Sequence, residues 1–456
     1  MDENLKQYKN MTESPVGKLI ILNAVPTMMS MVITAFYNAA DTYFVAKLGT
    51  SAAGAVGIVF SVMSIIQALG NTFGMGACNL ISQLLGKKEE DKAIIIANSG
   101  ILGAGTVGVL LAVVGNIYIE KIMRLLGATE TILPYAISYG RYIFGAAPIT
   151  MEVFTLNMLF RAEGKAKYGT RAIILGGIIN IVLNPIFIFT FRLDIAGAAI
   201  ATAISQFISF CYLLWMFFHR DVIIKITPYK ISKEGKTYVE IIRVGLPSLC
   251  RQGLACLSNI MLNTQAAMFG DVAVAAMTVV NKLFGIVFSL ELGYNQGYQP
   301  VVGYNYGAGK YKRVKEAYLF LLKSSVSVLF VIGCLTYAFA PFLIFFFVGQ
   351  DKEVVEIGIK AYRMQCITMP LLPFVLSCNT TFQSIGKALW SILTSSARQG
   401  FFFLPAIWIL PKFLGLTGLE MTQAVADICT FFMAIPFILH FFRKLNGEII
   451  NEATEK

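Results

Sequence analysis

The chain has 456 residues, of which 56% are hydrophobic and 14% charged, and its mean hydropathy is +0.68; a soluble domain carries about a quarter charged residues. The net charge of +11 could suit a nucleic acid, but the positive residues sit in alternate loops and form no patch. Eight cysteines, all in apolar stretches, without a CxxC pair or a neighbouring histidine, exclude a disulfide framework and a thiolate metal centre.

The first 16 residues are polar, and the first apolar segment is too long and polar-spotted for a cleavable signal peptide. Twelve apolar stretches are predicted as membrane spans, near 18–44, 52–76, 93–115, 134–160, 170–191, 196–218, 239–268, 273–301, 316–346, 357–383, 391–411 and 419–442. Each can cross about 30 Å of hydrocarbon at 1.5 Å per residue. One set of loops is rich in Lys and Arg, from Lys87, Lys88 and Lys92 through Arg220 and Lys310 to Lys387 and Arg398. The other set holds only Lys47, Lys121, Arg124, Arg192, Lys352 and Lys412. The rich set is expected in the cytoplasm, which puts both termini there. The polar stretch 219–238 reads as a cytoplasmic linker between an N-terminal lobe, 1–218, and a C-terminal lobe, 239–456.

The two lobes repeat each other. Pro26 and Pro247, Gly49 and Gly270, Gly76 and Gly297, and Gly86 and Gly307 are each 221 residues apart. The register slips by one at Arg141/Arg363, Asn157/Asn379 and Gly164-Lys165-Ala166/Gly386-Lys387-Ala388, then returns at Gly197/Gly418. Six spans per copy send both copies into the membrane in the same direction, so the symmetry axis lies along the membrane normal. The expected fold is an all-α integral membrane protein: twelve transmembrane helices in two pseudo-symmetric six-helix bundles. They face each other across a central cleft and rock to alternate access.

Ionisable groups inside spans are costly and point to function. Those embedded are Asp41, Arg141, Glu152, Lys282, Glu291, Arg363 and Asp427. Asp41 lies roughly 22 Å along a helix from Pro26, with Tyr37 and Asn38 on its face. Asn180 and Asn184 are spaced by four on the fifth span, as are Thr202 and Gln206 on the sixth. If these stripes converge, a buried carboxylate meets amide and hydroxyl oxygens, a set that holds a proton or a small hard cation. The competing readings are an interfacial Asp41 beside Lys47, and amides that serve only interhelical bonding. The second lobe has Leu262 opposite Asp41 and Phe401 or Phe402 opposite Asn180, so coupling belongs to the first lobe. Glu152, Glu291 and Gln206 are candidates for the substrate cleft; the two acids could equally pair with polar groups on neighbouring helices. Pro26 and Pro247 each remove a backbone bond from the first span of a lobe and permit a kink, so Pro26 is a candidate hinge.

The segment "PVGKLIILNAVPTMMSMVITAFYNAADTYFVAKLGTSAAGAVG" resembles the opening of MATE (multidrug and toxic compound extrusion) transporters, in particular the MepA-like group of the DinF subfamily. "RAEGKAKYGTRAIILGGIINIVLNPIFIF", "DIAGAAIATAISQ" and "GYQPVVGYNYGAGKYKRVKEA" resemble later signatures, in order along the chain. The resemblance implies a monomeric, multi-pass transporter of a bacterial plasma membrane. It would export small-molecule drugs, often organic cations, against a proton or sodium gradient, without cofactor, ATP or nucleic acid. Tyr37, Asp41, Asn180, Asn184 and Thr202 match the family's cation-coupling positions. The family commonly reads "NIVLDP" where this chain has "NIVLNP", so Asn184 replaces a second carboxylate and desolvation alone must hold a proton on Asp41. The runner-up is a lipid-linked precursor flippase of the same superfamily. Such a flippase needs several Arg or Lys in its cleft, and few embedded positives are expected here.

Overall fold

The computed structural model describes residues 3–219, 222–227, 229–349 and 351–454; Arg220 and the extreme ends, 1–2 and 455–456, lie outside them. The N-terminal half runs α1 (Glu3–Glu13), α2 (Val16–Ala46), α3 (Thr50–Gly86), α4 (Glu90–Ile117), α5 (Ile119–Leu125), α6 (Leu133–Gly145), α7 (Ala147–Ala162), α8 (Ala166–Pro185) and α9 (Asp194–His219). The C-terminal half runs α10 (Gly235–Ala267), α11 (Asp271–Gly307), α12 (Tyr311–Ala338), α13 (Ala340–Val348), α14 (Lys352–Thr368), α15 (Leu372–Ser384), α16 (Ala388–Ser396) and α17 (Leu404–Thr454). Short π-helical turns follow α8 at Ile186–Thr190 and α16 at Ala397–Phe403.

Among the described residues, eight helical runs are long and apolar enough to cross a membrane, and α6 with α7, bent by 49°, makes a ninth. The remaining spans escape a hydropathy count for physical reasons. α10 is diluted by Arg251 and Asn259, which line a cavity. α14 and α15 are short and meet end to end through Met369–Leu371. The run 388–450 doubles back at Gly415, whose φ of 58° suits a residue without a side chain. Together these runs trace the twelve expected spans. α2 and α10 stay continuous through Pro26 and Pro247.

The repeated glycines are contact points between the halves. A methyl group on Gly76 would sit 1.9 Å from the Ile241 carbonyl oxygen, and one on Gly297 would sit 2.3 Å from Ala24 Cα. Gly86 meets Tyr304 O at 2.2 Å in the same sense, and Gly307 meets Gln83 O at 2.1 Å. Tyr304 and Gln83 are themselves 221 residues apart, so α3 and α11 cross about a pseudo-twofold axis. Only glycine permits backbones this close.

This seal lies at the end of the molecule that carries α1. Asn305 Nδ2, Lys310 Nζ and Arg313 Nη2 of the second half donate to the carbonyls of Met11, Thr12 and Ser14 at 3.1, 3.1 and 2.6 Å. Gln7 Nε2 donates to Glu163 O of the first half. Arg161 on α7 also reaches Gln296 on α11. The connection between the halves is tied to the first: Glu163 Oε1 and Oε2 accept from Ile224 N and Ile223 N at 2.8 and 3.2 Å.

Candidate functional site

Asp41 stands on α2 in the half of the membrane opposite the seal, some 13 residues beyond Met28, or about 20 Å. It is 8% exposed. Tyr139 Oη on α6 donates to its Oδ2 at 3.0 Å, and Asn184 Nδ2 on α8 donates to its Oδ1 at 3.1 Å. The same Asn184 Nδ2 donates to Asn180 Oδ1 at 3.2 Å, and Asn180 Nδ2 to Thr202 Oγ1 on α9 at 3.1 Å. Four helices of the first half are thus joined by one hydrogen-bonded chain. Lys47 lies over the Tyr43 ring at 4.6 Å.

Two features make the cluster chemically open. The carboxylate has no cationic partner among the described residues. Asn184 Oδ1 is buried with no hydrogen-bond partner. Beside the chain lies a cavity of about 40 Å³ lined by Tyr37, Asn157, Asn180, Thr202, Ser205 and Gln206. Both side-chain polar atoms of Asn157 are buried there without partners. A site with several convergent oxygens and an orphan acceptor has the chemistry to hold a water, a proton or a small cation.

Five of the predicted coupling residues therefore stand together, and Gln206 joins them at the same small cavity. Glu152 and Glu291 line neither this cavity nor the large one described next. Glu152 lies beside Gly105 of α4, with Oε2 unpartnered. Glu291 holds Asn295 Nδ2 at 2.7 Å. Pro26 O accepts from Thr170 Oγ1 at 2.8 Å and from Ser30 Oγ at 2.9 Å, which pins α2 to α8 at the proline. Tyr139 was not singled out from the sequence. It is one of several tyrosines in "YAISYGRY", and no periodicity marks the one that faces Asp41.

The second half holds a cavity of about 590 Å³. Its walls include Arg251 on α10, Lys282 on α11 and Arg398, with Phe284, Phe288, Asn259, Asn281 and Asn379, and Phe60 enters from the first half. Arg398, expected in a cytoplasmic loop, is instead 7% exposed inside the bundle. The π-helical turn and the reversal at Gly415 bring it to Asp427, whose Oδ1 accepts from Nε at 2.7 Å. Gln423 Nε2 and Thr368 Oγ1 complete the carboxylate's bonds at 2.9 and 3.4 Å. The guanidinium stacks over Phe284 and Phe288 at 5.2 and 5.0 Å. The expectation of few embedded positive charges fails here. A basic residue next to apolar sequence reads as a loop until packing supplies its partner. Arg141 is exposed, and Arg363 lies over Tyr337 at 5.0 Å.

The sequence profile of the MatE family matches the chain twice, over residues 26–186 and 247–409. The multidrug export protein MepA of Staphylococcus aureus is 27% identical over 450 residues, 97% of each chain. A solved structure described as the outward-facing conformation of a multidrug resistance MATE family transporter superposes with a TM-score of 0.90. It is 26% identical, over 96% of this chain and 98% of that one. A MATE crystal structure in a bent conformation superposes with a TM-score of 0.91 at 26% identity, over 99% of this chain and 100% of that one.

Proposed function

This chain belongs to the MatE family, and from that membership we propose that it exports amphipathic organic compounds in exchange for a proton or sodium ion held at Asp41. It is a multi-pass membrane transporter and not an enzyme, and its energy source is the ion gradient. The observation that carries the coupling assignment is the buried Asp41 carboxylate, bonded to Tyr139 and Asn184, beside the orphan Asn184 Oδ1. A buried carboxylate with no cationic partner is costly. A proton cancels its charge; a sodium ion balances it and takes oxygen ligands from Asn184, Asn180 and Thr202.

Either event changes which bonds Asp41 makes to α6 and α8, and α2 carries the change to its other end. There Ala24 and Met28 pack against Gly297 and Gly293 of α11 in the seal. Pro26 stands between them. It lacks the N–H that would bond Leu22 O, so α2 bends there at lower cost than elsewhere. Ion binding at one end of α2 and loosening of the seal at the other are thereby coupled. The alternating loop charges support a cytoplasmic position for the sealed end and α1 in a bacterial cell, and with that orientation this conformation faces outward. The close superposition on an outward-facing MATE transporter supports the same reading.

The test is drug flux into and out of proteoliposomes under an imposed proton or sodium gradient, for the native protein and Asp41→Asn. One gradient should drive flux in the native protein and neither should in the variant. Full flux in Asp41→Asn under both gradients would sink the assignment.

A further inference from the structure

The large cavity of the second half is cationic, and that polarity sets what it takes. Three of its walls carry a positive side chain, Arg251, Lys282 and Arg398, and among the described residues no Asp or Glu lines it. Asp427 neutralises Arg398 from behind. Among the described residues Arg251 and Lys282 have no carboxylate within ion-pair distance, and Arg251 Nη1 reaches only Asn379 Oδ1, at 3.5 Å. A guanidinium inside a membrane protein without a counter-charge, as at Arg251, is expensive. An arginine is also suited to gripping a carboxylate, sulfonate or phosphate through paired N–H groups. The remaining wall is aromatic and aliphatic, with Phe60, Phe284, Phe288 and Leu262, and holds an apolar body.

We propose that this cavity is the substrate site and that it selects amphipathic organic anions, with the acidic group held between Arg251 and Lys282. This deepens the exporter reading and rests on it. It also reverses the charge that the sequence suggested for the substrate. The repeat relates this cavity to the small one. Its residues Asn379, Gln423 and Ser258 fall opposite Asn157, Thr202 and Tyr37 of the small first-half cavity. Arg398 falls opposite Gly176 or Gly177, whichever of the two registers applies. The two cavities thus stand at equivalent places in the repeat. The first is small and lies beside the Asp41 chain; the second is large and lined by bases.

The test measures binding without any gradient, so its result is independent of coupling at Asp41. Full-length protein in phosphatidylcholine nanodiscs is titrated with fluorescein, an aromatic carboxylate, and with the cationic xanthene rhodamine 6G, read by fluorescence polarisation. Fluorescein should bind the native protein. Arg251→Gln with Lys282→Gln should weaken it at least tenfold and leave rhodamine 6G unchanged. Lys282→Gln alone, at an exposed position, should weaken fluorescein at least threefold, and Arg251→Lys, which keeps the charge but loses the paired N–H groups, should retain part of the binding. Competition by phosphatidylglycerol that vanishes in the double variant would support the same anion site with a lipid headgroup as its occupant. The proposal is overturned if the native protein does not bind fluorescein, if Lys282→Gln leaves fluorescein binding intact, or if both dyes are lost alike.

Discussion

At equivalent places in its two halves this protein holds opposite chemistry. The first half links Asp41, Tyr139, Asn180, Asn184 and Thr202 in one hydrogen-bonded chain, and Asn180 and Thr202 of that chain line about 40 Å³ of space. The second half lines about 590 Å³ with Arg251, Lys282 and Arg398. Yet Gly76 and Gly86 of the first half and their mates Gly297 and Gly307 of the second all press against the other half's backbone. At these four positions the backbone contact is repeated while the side-chain chemistry around them is not. A seal made of backbone against backbone tolerates no added atom, whereas a cavity wall can change its side chains and stay folded.

The contrast can be broken most severely at Asp41. Asp41→Leu should reduce gradient-driven export by about a hundredfold or more, the scale on which losing an essential proton-transfer group acts. Leu262→Asp, at the mate position, should leave the coupling ion unchanged and weaken anion binding instead; gradient-driven flux and dye titration on the two variants check this. If Leu262→Asp changes the coupling ion, the halves are not specialised as described.

Stability separates the halves next. Arg398→Met leaves Asp427 buried without its counter-charge and should cost about 3–5 kcal/mol, while Arg398→Met with Asp427→Leu should recover most of that. Thermal unfolding in detergent reads both variants. No substitution at Gly176 or Gly177 can reproduce the effect by removing an ion pair, because the first half has none there.

The seal should instead behave alike in both halves. Gly76→Ala and Gly297→Ala each force a methyl into backbone and should each cost about 1–3 kcal/mol, with similar losses of transport. A large difference between them would show that the symmetry of the seal is not functional. The smallest expected effect is at Tyr139. Tyr139→Phe removes one donor from Asp41, worth about 1 kcal/mol, and should slow transport about fivefold; its repeat-register neighbour on α14, Tyr362→Phe, should not.

Much of this was legible in one dimension. Apolar runs, alternating loop charge and a 221-residue register are properties of spacing, and they established a duplicated twelve-span transporter before any contact was known. Asp41, Asn180, Asn184 and Thr202 were legible too, because a polar stripe on an apolar helix stands out wherever it points. What packing alone decided was every statement about facing. Tyr139 resembles its neighbouring tyrosines until α6 turns it toward Asp41. Arg398 looks like a loop cation until the chain reverses at Gly415 and supplies Asp427. The repeated glycines mark a symmetry in the sequence, but only the crossing of α3 and α11 shows that they touch across it. Helix period and charge are local, so the sequence alone determined them. The polarity of a cavity is the sum over helices far apart in the chain, and only their packing could set it.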